Sequence, residues 1–322
     1  MFFSCISAMA MLYWEKIKNC FEDIFMGYVF LAISLLCGAT KGYCGKKTSG
    51  HTACITDAIY ANLLRMFLCI AIGFFSVLLS EGFPAFRVSC RTFAICFLSG
   101  LATSVMVVSR LLAVKKGAYM MLDVFCMLGF TVPIAGSVIC FSETVSRMQF
   151  LGMALLVAAT LVMCSYNNSI KSKLTLGGFA LLFLTGFSNG AIDFSQKLFT
   201  VYAKGVPTSV FNFYTYLCSF LILLICLPFF GMRKGDSDKS VYKALKPIFG
   251  YISVMSVCLF LHSFTKTIAA HYLPSAALYP LANGCALMLS TIMSAVFFKE
   301  KLTAKCLFGV LLAFGGILAV NL

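Results

Sequence analysis

Charged residues are scarce in this chain, and their scarcity excludes most classes of protein. Asp, Glu, Lys and Arg make up only 11% of the 322 residues, whereas a soluble domain carries about 25%. Hydrophobic residues account for 61%, and the mean hydropathy is +0.96. A chain of this composition would not stay dissolved in water. The composition therefore predicts a membrane protein whose apolar runs are helices, because lipid offers no partner for unpaired backbone groups.

Residues arranged for catalysis or metal binding are also few. There are only three histidines, and neither an HExxH nor a DDxxD pattern occurs. The 16 cysteines form no CxxC pair and lie mostly inside apolar runs, where cysteine packs as a small apolar residue. We therefore expect no metal, no cofactor and no structural disulfide. An intramembrane lipid-modifying enzyme is left as a remote alternative.

The net charge of +14 would suggest a nucleic-acid partner in a soluble protein. Here the Lys and Arg residues lie in short loops between apolar runs, where they fix orientation and contact anionic lipid. We therefore expect membrane lipids and no nucleic acid as partners. The side of the membrane with more of these residues should be cytoplasmic, which predicts that both termini lie outside.

Ten apolar runs, each long enough to cross a bilayer or nearly so, organise the chain. An N-terminal segment, residues 1–26, precedes them and is interpreted as a short interfacial helix or a mis-started sequence. The runs cover residues 27–45, 54–80, 92–112, 118–141, 146–165, 174–198, 208–230, 246–268, 275–298 and 303–321.

An internal repeat divides these runs into two halves. The stretch from Gly117 to Ser165 aligns without a gap on the stretch from Pro274 to Leu322, at a constant shift of 157 residues. The shift places Glu143 on Glu300, each in a short turn between two apolar runs. Five helices per half is an odd number, so related halves must be inverted in the membrane. The predicted fold class is an all-α integral membrane protein with ten transmembrane helices in two inverted five-helix repeats, 27–165 and 174–322.

The chain resembles the ten-helix EamA-like branch of the drug/metabolite transporter superfamily. The resemblance rests on the repeated hairpins, each with a proline-bearing helix (Pro133, Pro280), an acidic turn (Glu143, Glu300) and a glycine-rich helix. It implies a transporter in which the first four helices of each half surround a central cavity and the fifth and tenth lie at the periphery. It also implies cytoplasmic termini. Small multidrug exporters of this superfamily carry a Glu in the first helix, and the first run here has none.

Ionisable and polar residues inside the apolar runs are the candidate substrate-binding residues, because such groups are costly in hydrocarbon. They are Arg65, Asp123, Asn189, Asp193, His262, Tyr279 and Asn283. His262 and Lys266 share a helix face, and the Tyr279-Pro280 pair is expected to interrupt the ninth run.

Each candidate also has a structural interpretation. Asp193 and Lys197 are spaced for an ion pair along one helix, and Lys41 and Lys266 could extend to the headgroups. Arg65 could form a salt bridge with Asp123 or Asp193 instead of binding substrate.

We predict a secondary transporter that moves a small polar metabolite, such as an amino acid, by alternating access. Arg65 would bind an anionic group of the substrate, and Asp123 and Asp193 would pair with a cationic group or with Arg65 in the empty state. A lipid-linked-sugar flippase of the same fold stays open as an alternative. The expected partners are the small-molecule substrate and lipids, the expected state is a monomer or homodimer, and the expected location is the cell membrane, that of a bacterium in particular.

Overall fold

A computed structural model describes residues 2–49, 55–115, 122–167, 176–231, 246–298 and 304–321, and within these ranges no strand occurs. Two short 3-10 turns, Phe83–Phe86 and Lys246–Ile248, accompany the α-helices. The helices are α1 (Phe2–Ser49), α2 (Ile55–Ser80), α3 (Cys90–Lys115), α4 (Leu122–Leu128), α5 (Thr131–Phe141), α6 (Arg147–Asn167), α7 (Leu176–Tyr202), α8 (Thr208–Gly231), α9 (Phe249–Tyr272), α10 (Ser275–Phe298) and α11 (Ala304–Val320). The turn that holds Glu300 lies outside these ranges.

Seven of these helices contain a span long and apolar enough to cross a membrane. Shorter apolar helical stretches at 125–141, 147–162 and 307–320 accompany them. Large apolar side chains cover the outside, as on Leu79, Ile139 and Phe229, which are each more than three-quarters exposed. The prediction of an all-α membrane protein is confirmed. The ten-helix count and the two inverted repeats stay predictions.

Two helices depart from the boundaries expected from the sequence. α1 begins at Phe2 and continues through the expected boundary at residue 26. The interruption expected at Tyr279-Pro280 is absent, because α10 runs unbroken through Pro280. The fourth run breaks instead at Gly129 and Phe130, whose N–H groups bond three residues back, to Cys126 and Met127.

Close backbone contact explains why the break falls at Gly129. A Cβ on Gly129 would lie 2.6 Å from the Gly186 carbonyl oxygen, and a Cβ on Gly190 would clash with the Gly129 carbonyl oxygen. Glycine removes the side chains that would keep two helices apart, so α4 and α7 can approach closely. The break between α4 and α5 therefore sits at a crossing with a helix of the other half of the chain.

Corresponding helices of the two halves pack antiparallel. In α6 and α11, which the 157-residue shift relates, Gly152 contacts Val320 while Leu156 contacts Gly316. In α2 and α8, the second and seventh runs, Phe67 packs on Phe220. Further along α2, Gly73 packs on Phe213, which comes earlier in α8. Equivalent helices that run in opposite directions are what inverted repeats require. This packing supports the predicted inversion.

The crossing of α6 and α11 gives a matched pair of substitutions. A Cβ on Gly316 would lie 2.9 Å from the Gly152 carbonyl oxygen, whereas a Cβ on Gly315 meets nothing within 4 Å. Gly316→Leu should lower the free energy of unfolding by roughly 1–3 kcal/mol, because backbone cannot rotate out of the way. Gly315→Leu should leave it unchanged. Thermal unfolding of the two purified variants in detergent measures the difference, and equal melting temperatures would contradict this packing.

Candidate functional site

A buried ion pair lies where α7 and α9 meet. The Lys266 Nζ is 2.7 Å from the Asp193 Oδ1, and the two residues are only 4% and 2% exposed. The Lys266 Nζ also lies 5.6 Å from the centre of the Tyr279 ring, a cation–π distance. The Tyr279 hydroxyl donates to the Asp193 carbonyl oxygen at 2.8 Å. These contacts bind α7, α9 and α10 of the second half to one another.

A second ion pair joins the two halves of the chain. Glu143 follows Ser142, whose left-handed backbone (φ 54°) ends α5. The Glu143 Oε1 lies 2.9 Å from the Lys197 Nζ on α7. Its Oε2 accepts the Ser275 backbone N–H at 3.0 Å, one of the N–H groups at the start of α10 that lack a partner within the helix.

A serine pair reinforces the same junction. The Ser137 and Ser275 hydroxyl oxygens lie 2.7 Å apart, and both side chains are buried. Ser137 belongs to α5 and Ser275 to α10. Two contacts from the first half therefore meet at the first residue of α10. We call this junction of Ser137, Glu143, Lys197 and Ser275 the polar junction.

A chain of amides and hydroxyls runs beside the buried ion pair. The Gln196 Nε2 donates to the Ser263 Oγ at 3.3 Å, and Ser263 donates to the Asn212 Oδ1 at 2.7 Å. In the part of the chain that the structure describes, the Gln196 Oε1 and the Asn212 Nδ2 have no partner although both atoms are buried. Sequence reasoning missed these three residues. They could have been found as polar side chains inside the apolar runs that form α7, α8 and α9.

Arg65 lies apart from both ion pairs, between α2 and α9. Its Nη1 is 3.8 Å from the Met255 Sδ, a weak acceptor, and its buried Nε has no partner among the described residues. Met255 also faces Gly45 of α1. A guanidinium has five N–H donors, and a thioether sulfur is only a weak acceptor for them.

Comparison with known proteins places this fold. Residues 176–322 match the model of the EamA-like transporter family, which belongs to the drug/metabolite transporter superfamily. The match covers slightly less than half of the chain, and over this region the chain is similar to that family. A solved structure described as "Crystal structure of protein" has the same fold, with a TM-score of 0.69 at 14% identity, over 92% of this chain and 96% of that one. No curated protein matches the chain.

The matched family is one of membrane transporters, which agrees with the apolar helices of this chain. The structure brings two of the candidate residues together, Asp193 and Tyr279, around Lys266. The other candidates are distributed over several helices. Asp123 falls in α4, but its side chain lies outside the described part of the structure.

Asn189, His262 and Asn283 occupy different surroundings in the structure. The Asn189 Nδ2 donates to the Cys126 carbonyl oxygen at 3.1 Å, so it contributes to the α4–α7 crossing. The His262 Nδ1 lies 2.8 Å from the Ser34 carbonyl oxygen of α1. The buried Nδ2 of Asn283 has no partner in the segments that the structure describes. His262 and Lys266 thus reach different helices, although they lie one turn apart.

Two structural interpretations of the charged residues are wrong, and for Arg65 one of the two expected salt bridges is absent. Asp193 and Lys197 do not pair along α7, because Asp193 binds Lys266 and Lys197 binds Glu143. Lys266 does not extend to the headgroups, since it is buried. Arg65 lies against Met255 while Asp193 holds Lys266, so an Arg65–Asp193 pair is not formed. For Asp193 and Lys197, the opposite charge that each binds comes from another part of the chain and not from the partner expected from sequence spacing.

One pentapeptide has the spacing of a hydrolase motif and a different role. Residues 186–190, Gly-Phe-Ser-Asn-Gly, fit the GxSxG pattern that places a nucleophilic serine at a strand-to-helix turn. Here they lie in the middle of α7, with Ser188 buried. Gly186 and Gly190 are the glycines of the α4–α7 crossing. Helix packing therefore accounts for the pattern.

Proposed function

We propose that the chain is a secondary transporter that moves a small polar metabolite by alternating access, in the plasma membrane of a bacterium. The polar junction is the observation that supports this proposal. It joins the two halves where α5 ends and α10 begins, through contacts of Glu143 with Lys197 and Ser275. Transport by two rocking halves needs contacts of this kind that form and break at the ends.

In an alternating-access cycle, contacts within one half should persist and contacts between the halves should break, and the two ion pairs differ in this way. Asp193 and Lys266 both belong to the second half, and their side chains are 3% and 5% exposed. Breaking a pair so buried is costly, so it moves with its half. Glu143 and Lys197 belong to different halves, and their side chains are 21% and 10% exposed. Water can solvate these charges as they separate, so opening at the polar junction costs less.

The unpartnered polar atoms are the proposed substrate contacts. Within the described ranges, the Arg65 Nε and the Asn283 Nδ2 are donors without an acceptor, and the Asp193 Oδ2 is an acceptor without a donor. Buried polar groups without a partner destabilise a fold by about 1–3 kcal/mol each, so a ligand that satisfies them gains affinity. Arg65 would bind an anionic group, and the other two would orient a polar substrate.

Counterflow in proteoliposomes tests this function. Vesicles preloaded with unlabelled alanine, succinate, phosphate or choline are diluted into the same radiolabelled compound, and transient accumulation of label reports a carrier. We expect accumulation with at least one compound and its loss, by more than about tenfold, in Arg65→Gln, because a charge-assisted hydrogen bond is removed. Arg91→Gln, at an exposed position near the start of α3, is the matched control. Accumulation unaltered by Arg65→Gln would remove Arg65 from the site.

A further inference from the structure

A plug of apolar side chains lies near the turn between α7 and α8. The centres of the Phe199 and Phe211 rings are 4.6 Å apart, and both side chains are fully buried. Cys96 of α3, also fully buried, belongs to the same cluster. Phe199 lies one turn before the end of α7 at Tyr202, and Phe211 lies one turn after the start of α8 at Thr208. We call Cys96, Phe199 and Phe211 the apolar plug.

Polar side chains lie one helical turn behind the apolar plug. On α3, α7 and α8, the residues three or four positions from the plug and further from the α7–α8 turn are Ser99, Gln196 and Thr215. Residues at this spacing share a helix face. A Cβ on Gly100 would lie 2.8 Å from the Thr215 carbonyl oxygen, so α3 and α8 are in close contact at this level. The plug therefore covers a polar region on the same faces of these helices.

Hydrogen bonds extend this polar region to α9. Gln196 donates to Ser263 of α9, and Ser263 donates to Asn212, which directly follows the plug on α8. We call Ser99, Gln196, Asn212, Thr215 and Ser263 the polar layer, and each of its members is at most 9% exposed. α3 comes from the first half of the chain, whereas α7, α8 and α9 come from the second. The polar layer therefore lies between the two halves.

Unpartnered atoms are concentrated in the polar layer. Across the described stretches of the chain, its buried atoms that have no hydrogen-bond partner are Ser99 Oγ, Gln196 Oε1, Asn212 Nδ2 and Thr215 Oγ1. The buried hydroxyls of Thr103 and Thr265, in contrast, each bond a carbonyl of their own helix. A buried polar atom without a partner is costly. Four such atoms in one layer point to a ligand that supplies the missing bonds.

The chemistry of the four atoms indicates the kind of ligand. The two hydroxyls both donate and accept, the amide nitrogen donates and the amide oxygen accepts. If the amides of Gln196 and Asn212 were both rotated end for end, Ser263 would still bond each of them, and one donor and one acceptor would still be free. The layer carries no charge, and Asp193 and Lys266, one turn away on α7 and α9, neutralise each other. A charged group would have no counterion there, whereas a ligand hydroxyl both donates and accepts.

We propose that the polar layer binds the hydroxyl groups of the substrate, so that the substrate is a polyhydroxylated metabolite such as a sugar or a sugar acid. This proposal rests on the proposed transport function and gives its substrate class. The apolar plug closes the layer in the conformation described. Movement of α3 against α7 and α8, as the two halves rock, would open the layer to the ligand.

Compounds that differ only in hydroxyl groups test the proposal by isothermal titration of the purified full chain in detergent. Tartrate and succinate have the same charge and carbon chain, and only tartrate has hydroxyl groups. Glucose and gluconate separate a neutral sugar from a sugar acid. We expect saturable binding of glucose or gluconate, and tighter binding of tartrate than of succinate. Absence of saturable binding by glucose, gluconate and tartrate would overturn the site.

Thr215→Val and Thr265→Val are a matched pair of variants. Both remove a buried hydroxyl, but that of Thr265 is already bonded to the Leu261 carbonyl oxygen. Thr215→Val should weaken binding of the hydroxylated probe about fivefold, because one hydrogen bond between neutral groups is lost. It should not lower the melting temperature, since no described group bonds this hydroxyl. Thr265→Val should leave the affinity unchanged, and Ser99→Ala repeats the test on α3 if Thr215→Val does not fold.

Two results with these variants would overturn the site. Equal weakening by Thr215→Val and Thr265→Val would show a general perturbation of the bundle. A lower melting temperature for Thr215→Val, with the affinity for glucose and gluconate unaltered, would assign its hydroxyl to a buried water.

Counterflow separates failure of this proposal from failure of the transport function. Counterflow of alanine or choline, without binding of glucose, gluconate or tartrate, would overturn the hydroxyl site and leave transport intact. Binding of glucose or gluconate that Thr215→Val weakens, without counterflow of any compound, would uphold the site and overturn transport.

Discussion

Asp193→Asn should destabilise the protein by about 3–5 kcal/mol, because it leaves the ammonium group of Lys266 buried without a counterion. The side chains of both residues are at most 5% exposed, and no other carboxylate is bonded to Lys266 in the described part of the chain. Asparagine keeps the size of the side chain and one carbonyl oxygen. The loss therefore reports charge rather than packing. Unfolding by denaturant titration in detergent measures it.

Lys266→Met completes a double-mutant cycle for this pair. Alone, it leaves the Asp193 carboxylate buried and should be destabilising to a similar degree. In the double variant Asp193→Asn with Lys266→Met, neither charge remains, so its free energy of unfolding should exceed that of either single variant. Additive losses in the double variant would show that the two residues do not act as a pair.

Ionisable residues could be singled out from the sequence, because they are rare in apolar runs. Arg65, Asp193 and Tyr279 were all singled out by position, and the structure places Asp193 and Tyr279 in one buried cluster. Their partners could not be found in the same way. Spacing along one helix favoured Asp193 with Lys197, but the structure pairs Asp193 with a lysine 73 residues away. Partners across helices depend on how helices rotate and cross, which local spacing does not determine.

The positions of helix breaks could not be predicted from local sequence either. Proline was expected to interrupt α10 at Pro280, but in lipid a helix keeps its other backbone bonds because nothing else can satisfy them. The break came at Gly129, where α4 meets Gly186 and Gly190 of α7. A glycine that permits a close crossing looks, in one sequence, like any other glycine in an apolar run. The repeat, in contrast, was visible directly from the alignment of the two halves at a constant shift.

A disulfide between residues 137 and 275 should abolish transport. The two serine oxygens lie 2.7 Å apart, so the paired cysteines Ser137→Cys and Ser275→Cys are placed to form a bond of about 2 Å between their sulfur atoms. The bond would join α5 of the first half to α10 of the second half, at the polar junction. A carrier locked at one end can still bind from the other end but cannot release across the membrane.

Native cysteines require controls in this experiment. Cys140 lies one turn from Ser137 on α5, so each single variant, Ser137→Cys and Ser275→Cys, is oxidised in parallel. Only the double variant should gain a bond that survives denaturation and is reversed by dithiothreitol. Inactivation of a single variant to the same extent would assign the effect to a native cysteine instead.

The initial rate of counterflow by the double variant, before oxidation, after oxidation and after reduction, is the most direct measurement of alternating access by the two halves. The account predicts a normal rate before oxidation, a rate at the level of empty liposomes after oxidation, and recovery of the rate after reduction. Full transport with the 137–275 disulfide formed would contradict it, because the two halves would then not need to separate at this end.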